Sequence, residues 1–151
     1  MKFKPMITEL EEESFKGLIQ YYDLKKVKEI ENEQIYVVEF KTQNIIIKIQ
    51  KYFLELYVSL FRVDDPNNEV SLFNLLEYLK QGSSDIPKPN YFKEEKDVNV
   101  SYRKQLDYIC ATISANFEAI KVFFNSDKFE KEMNAIREFV IKQNPNLFKT
   151  W

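Results

Sequence analysis

The chain has 151 residues, 44% of them hydrophobic and 30% charged, with a net charge of −2. That length suits a single domain, residues 1–151, with a core large enough to need no disulfide or metal staple. The even charge argues against the basic surface that nucleic acid needs, and the absence of histidine excludes Ser-His-Asp and Cys-His catalysis and His-based zinc sites.

Thr8 to Tyr22 reads as the first helix. Thr8-Glu9-Leu10-Glu11 has the form of a capping box, with Ile7 as a hydrophobic staple, and Leu10, Phe15, Leu18, Ile19 and Tyr22 follow at helical spacing. The pattern then changes period. Lys26–Glu31, Ile35–Phe40, Asn44–Gln50 and Tyr52–Val63 read as four strands separated by breaks too short for parallel crossovers, hence an antiparallel meander. Regular pairing would put Tyr36, Val38, Phe40, Ile46, Phe53, Tyr57 and Phe61 on one face. Ile35, Val37, Ile45, Ile47, Ile49, Leu54, Leu56, Val58 and Leu60 would share the other. Both faces are apolar, so each needs cover from a helix or a partner.

Asp64-Asp65-Pro66-Asn67-Asn68 reads as a turn. Ser71 caps a helix over Leu72–Gln81 that Gly82 stops, and the proline-bearing stretch Ser83–Tyr91 is an exposed loop. A long helix runs from about Asp97 to Phe124. Ser126 or Asp127 caps the next, with Phe129, Met133, Ile136 and Val140 as its apolar stripe and Asn144-Pro145 as its end. The fold class is α+β: an N-terminal helix, a four-stranded antiparallel meander, a helix, then a C-terminal helical hairpin. The final Asn146–Trp151 segment puts Phe148 and Trp151 where they either dock on the body or contact another chain.

Little in this sequence carries catalytic chemistry. Gly17 and Gly82 are too far apart for a phosphate loop, and one cysteine, Cys110, can form neither an internal disulfide nor a thiolate cage. Near the apolar stripe of the long helix and with no base, Cys110 reads as a structural thiol. Glu11-Glu12-Glu13 reads as a solvated acidic face that complements the helix dipole. No cofactor and no metal are expected. Without an apolar run of signal or membrane-spanning length, the expectation is a cytoplasmic protein without a membrane partner. The abundance of Lys, Asn, Ile, Phe and Tyr is what an AT-rich bacterial genome produces.

Between residues 8 and 81 a short acidic helix leads to Tyr21-Tyr22-Asp23-Leu24-Lys25 and a strand ending Val38-Glu39-Phe40. Two further strands, Asn44-Ile45-Ile46-Ile47-Lys48-Ile49 and Leu54-Glu55-Leu56-Tyr57-Val58-Ser59-Leu60, precede a helix opening Val70-Ser71-Leu72. This succession resembles immunity-type proteins encoded beside bacterial polymorphic toxins. The resemblance implies a cytoplasmic, non-enzymatic protein that binds and blocks one cognate toxin, and it transfers no site residue.

Three readings stay open. The first is a protein-binding module, with Glu9, Glu12, Glu13, Tyr57 and Phe61 as its partner-facing residues. The second is a structural or regulatory homo-oligomer, such as a homodimer, joined through an apolar stripe left over on the long helix. The third is an enzyme built on carboxylate, Lys or Tyr groups that converge in a deep pocket.

Overall fold

The computed structural model describes residues 4–144. Five strands form one antiparallel sheet in sequence order: β1 (Lys25–Glu31), β2 (Tyr36–Thr42), β3 (Ile45–Tyr52), β4 (Glu55–Arg62) and β5 (Asp65–Ser71). The helices are α1 (Met6–Ser14), α2 (Lys16–Tyr22), α3 (Leu72–Leu79), α4 (Val98–Phe124) and α5 (Phe129–Gln143). The α+β class and the meander hold, and the sheet has one strand more than its hydrophobic pattern suggests.

The extra strand is β5. Asp65-Pro66-Asn67-Asn68 has turn composition, yet Asp65 pairs with Arg62 across a turn at Val63-Asp64. Proline and a register shift are tolerated there because β5 is an edge strand with one neighbour.

Sheet register corrects the expected faces. Across β2–β3 Phe40 pairs with Ile47, and across β3–β4 Ile47 pairs with Leu60. Each two-residue turn pairs an even position with an odd one, so one face carries even residues of β2, odd residues of β3 and even residues of β4. Tyr36, Val38 and Phe40 therefore join Ile45, Ile47, Ile49, Leu56, Val58 and Leu60 in the core. Helices α1 and α4 cover that face. The opposite face carries a polar row in which Lys28, Glu39, Lys48 and Ser59 stand directly opposite one another. Glu69 of β5 closes it, 2.8 Å from Lys48 and hydrogen-bonded by the Ser59 hydroxyl. Alternating charges suit a solvated face. Ile46 and Phe61 lie on one side of this row and Val37 and Tyr57 on the other, so the outer face does not carry the aromatic sheet expected.

The first helix differs as well. It breaks at Phe15, whose φ of −93° and ψ of −1° turn the chain so that the ring enters the core and stacks on Phe40 at 5.2 Å. Thr8 is not the cap, because the helix already starts at Met6. The cap comes from the sheet: Glu31 accepts hydrogen bonds from the Ile7 N–H (3.1 Å), the Thr8 N–H (2.8 Å) and the Thr8 hydroxyl (2.7 Å). A carboxylate there also meets the positive end of the helix dipole. Replacing Glu31 by Ala should cost about 2 kcal/mol, the upper range for a helix cap, measured by urea unfolding. Glu31→Gln keeps an acceptor and should cost less.

Ser71 caps α3 as expected, accepting from the Asn74 N–H, and Asp97 caps α4 through the N–H groups of Asn99 and Val100. The helical hairpin needs correction. Helix α5 has neither Ser126 nor Asp127 as its cap, and it packs on α3, with Tyr78 and Phe139 rings 5.8 Å apart. Phe123, Phe124 and Phe129 pack together at the α4–α5 corner, and Arg62 of β4 lies 4.8 Å over the Phe129 ring. Phe148 and Trp151 lie outside the described residues.

Candidate functional site

The strongest surface feature is a cleft at the β3–β4 turn. The two runs Ile45–Tyr52 and Glu55–Arg62 are joined by Phe53 and Leu54 alone. Such a turn is normally built from Asn, Asp or Gly, because its first residue takes a positive φ. Here that residue is Phe53, at φ 55° and 77% exposed, followed by Leu54 at 60%. Tyr52, before the turn, is 62% exposed. Facing this tip is the segment that leads into α4, where Phe92 also holds a positive φ of 49°. Among the described residues four non-glycine positions have positive φ, and the two aromatic ones line this cleft. A bulky side chain in that region costs about 1–2 kcal/mol, and backbone strain of this kind concentrates where function holds it.

The cleft encloses about 460 Å³. Tyr52, Phe53 and Leu54 form one wall, Tyr91, Phe92 and Val98 the other, and Tyr102 of α4 lies between them. Helix α4 holds both walls. On the hairpin side, Gln105 accepts from the Leu56 N–H at 2.8 Å and donates to the Leu54 carbonyl at 3.0 Å, while the Tyr102 hydroxyl donates to the Phe53 carbonyl at 3.4 Å. On the other side, the Ser101 hydroxyl bonds the Tyr91 carbonyl, the Tyr108 hydroxyl bonds the Lys88 carbonyl at 2.6 Å, and Lys104 pairs with Glu95 at 2.9 Å. One helix face thus fixes the spacing of two aromatic walls.

The charges at the rim neutralise each other. Glu55 lies 2.9 Å from Lys93 and accepts from the Tyr57 hydroxyl. Those two contacts, the Tyr57 bond first, hold the Glu55 carboxyl below the usual carboxylate range, and Glu55 in turn holds the Lys93 ammonium above its usual range. These shifts move both groups away from neutral pH, the opposite of what a general acid or base needs. The cleft is therefore built for apolar contact, with Glu55, Lys93 and Glu95 already paired.

The five partner-facing residues expected from sequence do not form one surface. Tyr57 lies beside the cleft, its ring 5.5 Å from Tyr91 and 6.3 Å from Tyr52. Phe61 is half-buried further along the outer sheet face. Glu9, Glu12 and Glu13 are exposed on α1, which covers the inner face, so the sheet separates them from the aromatics. Glu13 pairs with Arg103 at 2.6 Å, and Glu12 lies 3.8 Å from Lys26. The solvated-face reading does not extend to Glu11, which is fully buried. Its position four after Ile7 and four before Phe15 places it on the apolar stripe, and that spacing is the signal the sequence offers.

The apolar stripe of α4 is consumed inside the molecule: Leu106, Ile109, Ile113 and Ile120 are all at most 3% exposed. Its outward side keeps Arg103, Asp107, Ala111, Ala115, Glu118 and Val122. Cys110 is half-buried, its thiol donates to the Ser14 carbonyl at 3.4 Å, and burial pushes it above the usual thiol range, against nucleophilic use. Among the described residues no group of three or more Cys, Asp or Glu side chains is placed to hold a metal ion, and no helix is long and apolar enough to cross a membrane.

In comparisons with known proteins, the chain matches no family model, no curated protein and no solved structure.

Proposed function

We propose that this chain is a non-enzymatic protein-binding module, an immunity-like inhibitor of a cognate toxin, that grips its partner with the aromatic cleft between the β3–β4 turn and the α4 entry. The observation that carries the reading is Phe53 with Leu54 in a two-residue turn. A turn selected for folding alone would use small polar residues, so two exposed apolar side chains there have another use. Aromatic anchors beside a rigid, charge-neutral cleft have the makeup of an interface centre, and the paired Glu55–Lys93 and Glu95–Lys104 suit its polar rim. The acidic residues of α1 lie on a separate surface.

The test uses the tagged full chain to capture proteins from its host lysate, read by mass spectrometry, beside the Phe53→Gly, Leu54→Gly double variant. Glycine relieves the positive φ at position 53, so the variant should be as stable as the parent, to within about 0.5 kcal/mol. The parent is expected to retain one stoichiometric partner and the variant to lose at least tenfold in affinity for it. Equal retention by the two would move the interface elsewhere, and no partner at all would sink the binding-module reading.

A further inference from the structure

Glu11 is the only acidic or basic side chain among the fully buried ones of the described residues. Its Oε1 lies 3.1 Å from Lys26 Nζ and 3.4 Å from the Tyr36 hydroxyl, while its Oε2, also buried, meets no donor. Lys26 is shared: the same ammonium lies 3.8 Å from Glu12 and 2.9 Å from Glu29. Three carboxylates thus lean on one cation, and the one without water is Glu11. The other groups facing this seam are Glu31 on β1, already bonded to the first turn of α1, and Tyr102 of α4. Arg103 and Asp107 of α4 are held by Glu13 and Ser14 at its outer side. An ionised carboxylate with a bare oxygen in such a place costs free energy that its neutral form does not.

We infer that α1 is a proton-operated strap: with Glu11 neutral it stays closed over the β1–β2 edge, and with Glu11 ionised it opens locally and uncovers the Phe15–Phe40 stack. Burial pushes the Glu11 carboxyl from its ordinary 4.5 up to about 7, overcoming the lowering pull of Lys26, with Glu29 and Glu12 adding to the rise. The closed form therefore holds a proton that the open form has released between about pH 4.5 and 7. The stabilisation of the closed form is fully present below that window, falls as pH rises through it, and changes no further above it.

The test is native-state hydrogen exchange on the full chain at pH 6 and pH 8, corrected for the intrinsic exchange rate. The opening constant for amides of residues 10–14 is expected to rise about tenfold, from a closed-state value near 7 against 4.5 when open, while α4 amides keep theirs. Glu11→Gln, a permanently neutral analogue, should remove the pH dependence, and Lys26→Met, which takes away the lowering cation, should steepen it. A flat parent profile, an equal rise in α4, or a Gln variant that follows the parent would each overturn the strap. Should Glu11→Gln fail to fold, a Lys26→Met slope no steeper than the parent's overturns it alone.

Discussion

Phe15→Ala is expected to lower unfolding free energy by about 4 kcal/mol, the largest loss from any single truncation at the helix–sheet seam. The ring is 0% exposed and lies parallel to Phe40, 5° between planes. Truncation removes the transfer energy of a whole aromatic side chain and the stacked pair, and it leaves a cavity under the break between α1 and α2. Neighbours are poorly placed to fill it, since Phe40 is held in a central strand pair and Leu18 belongs to the helix that the break itself orients. Against a typical total of about 5–15 kcal/mol, that loss brings the chain close to unfolding and lowers Tm by roughly 12 °C. Urea and thermal denaturation measure it. Phe15→Leu keeps most of the volume and should cost about 1–2 kcal/mol. A cost for Phe15→Ala below about 2 kcal/mol would mean that the α1–α2 break is not anchored by this ring.

The contrast between what was legible in the sequence and what was not follows from where each signal resides. Alternation reveals β2, β3 and β4 because the buried face demands it: Val38, Ile47, Ile49 and Leu60 are each at most 1% exposed. β5 has a single buried apolar side chain, Val70, and is held mainly by its pairing with β4, so no periodicity announces it. Face assignment fails for a different reason. It depends on whether each turn has an even or odd number of residues. The strands Ile35–Phe40 and Asn44–Gln50 leave a three-residue break, whereas Thr42 pairs with Ile45 across the two-residue turn Gln43-Asn44, which flips β2 against β3 while the expected β3–β4 match holds. A different mismatch hides the candidate site, since neither residue of the Phe53-Leu54 turn has turn chemistry. Local rules assign Phe53 to a strand and Phe92 to an ordinary loop, while tertiary contacts from α4 fix both backbones in the conformation those rules disfavour. The α1 cap illustrates the limit again: Thr8 and Glu11 fit a local capping box, but a carboxylate 23 residues away, Glu31, outcompetes it.

Gln105 tests whether the cleft depends on that tertiary support. The side chain is 1% exposed and bridges two backbone groups of the β3–β4 hairpin, with a third contact to the Ser101 hydroxyl at 3.3 Å. Gln105→Ala leaves the Leu56 N–H without a partner at a buried position and the Leu54 carbonyl without one at a part-buried position, and the expected cost is about 3 kcal/mol, since each unsatisfied group is worth about 1–3 kcal/mol. The loss should be directional: exchange at the Leu56 amide accelerates, the Tyr52–Leu54 tip separates from the Phe92 wall, and partner capture falls with it even where the chain stays folded. Gln105→Glu sharpens the argument through its pH dependence. An ionised Glu at this position still accepts from Leu56 but turns an oxygen toward the Leu54 carbonyl, whereas the protonated form donates to that carbonyl and restores the bridge. Burial raises the carboxyl of such a group, so the variant should gain stability relative to the parent as pH falls through its raised value and lose it as pH rises, the sign expected when the folded state binds the extra proton. A Gln105→Ala cost within about 0.5 kcal/mol of zero, or a Gln105→Glu profile parallel to the parent's, would show that the hairpin holds its strained turn by β-pairing alone. In that case the rigidity of the cleft would reside in the sheet, with α4 adding contact area and no constraint.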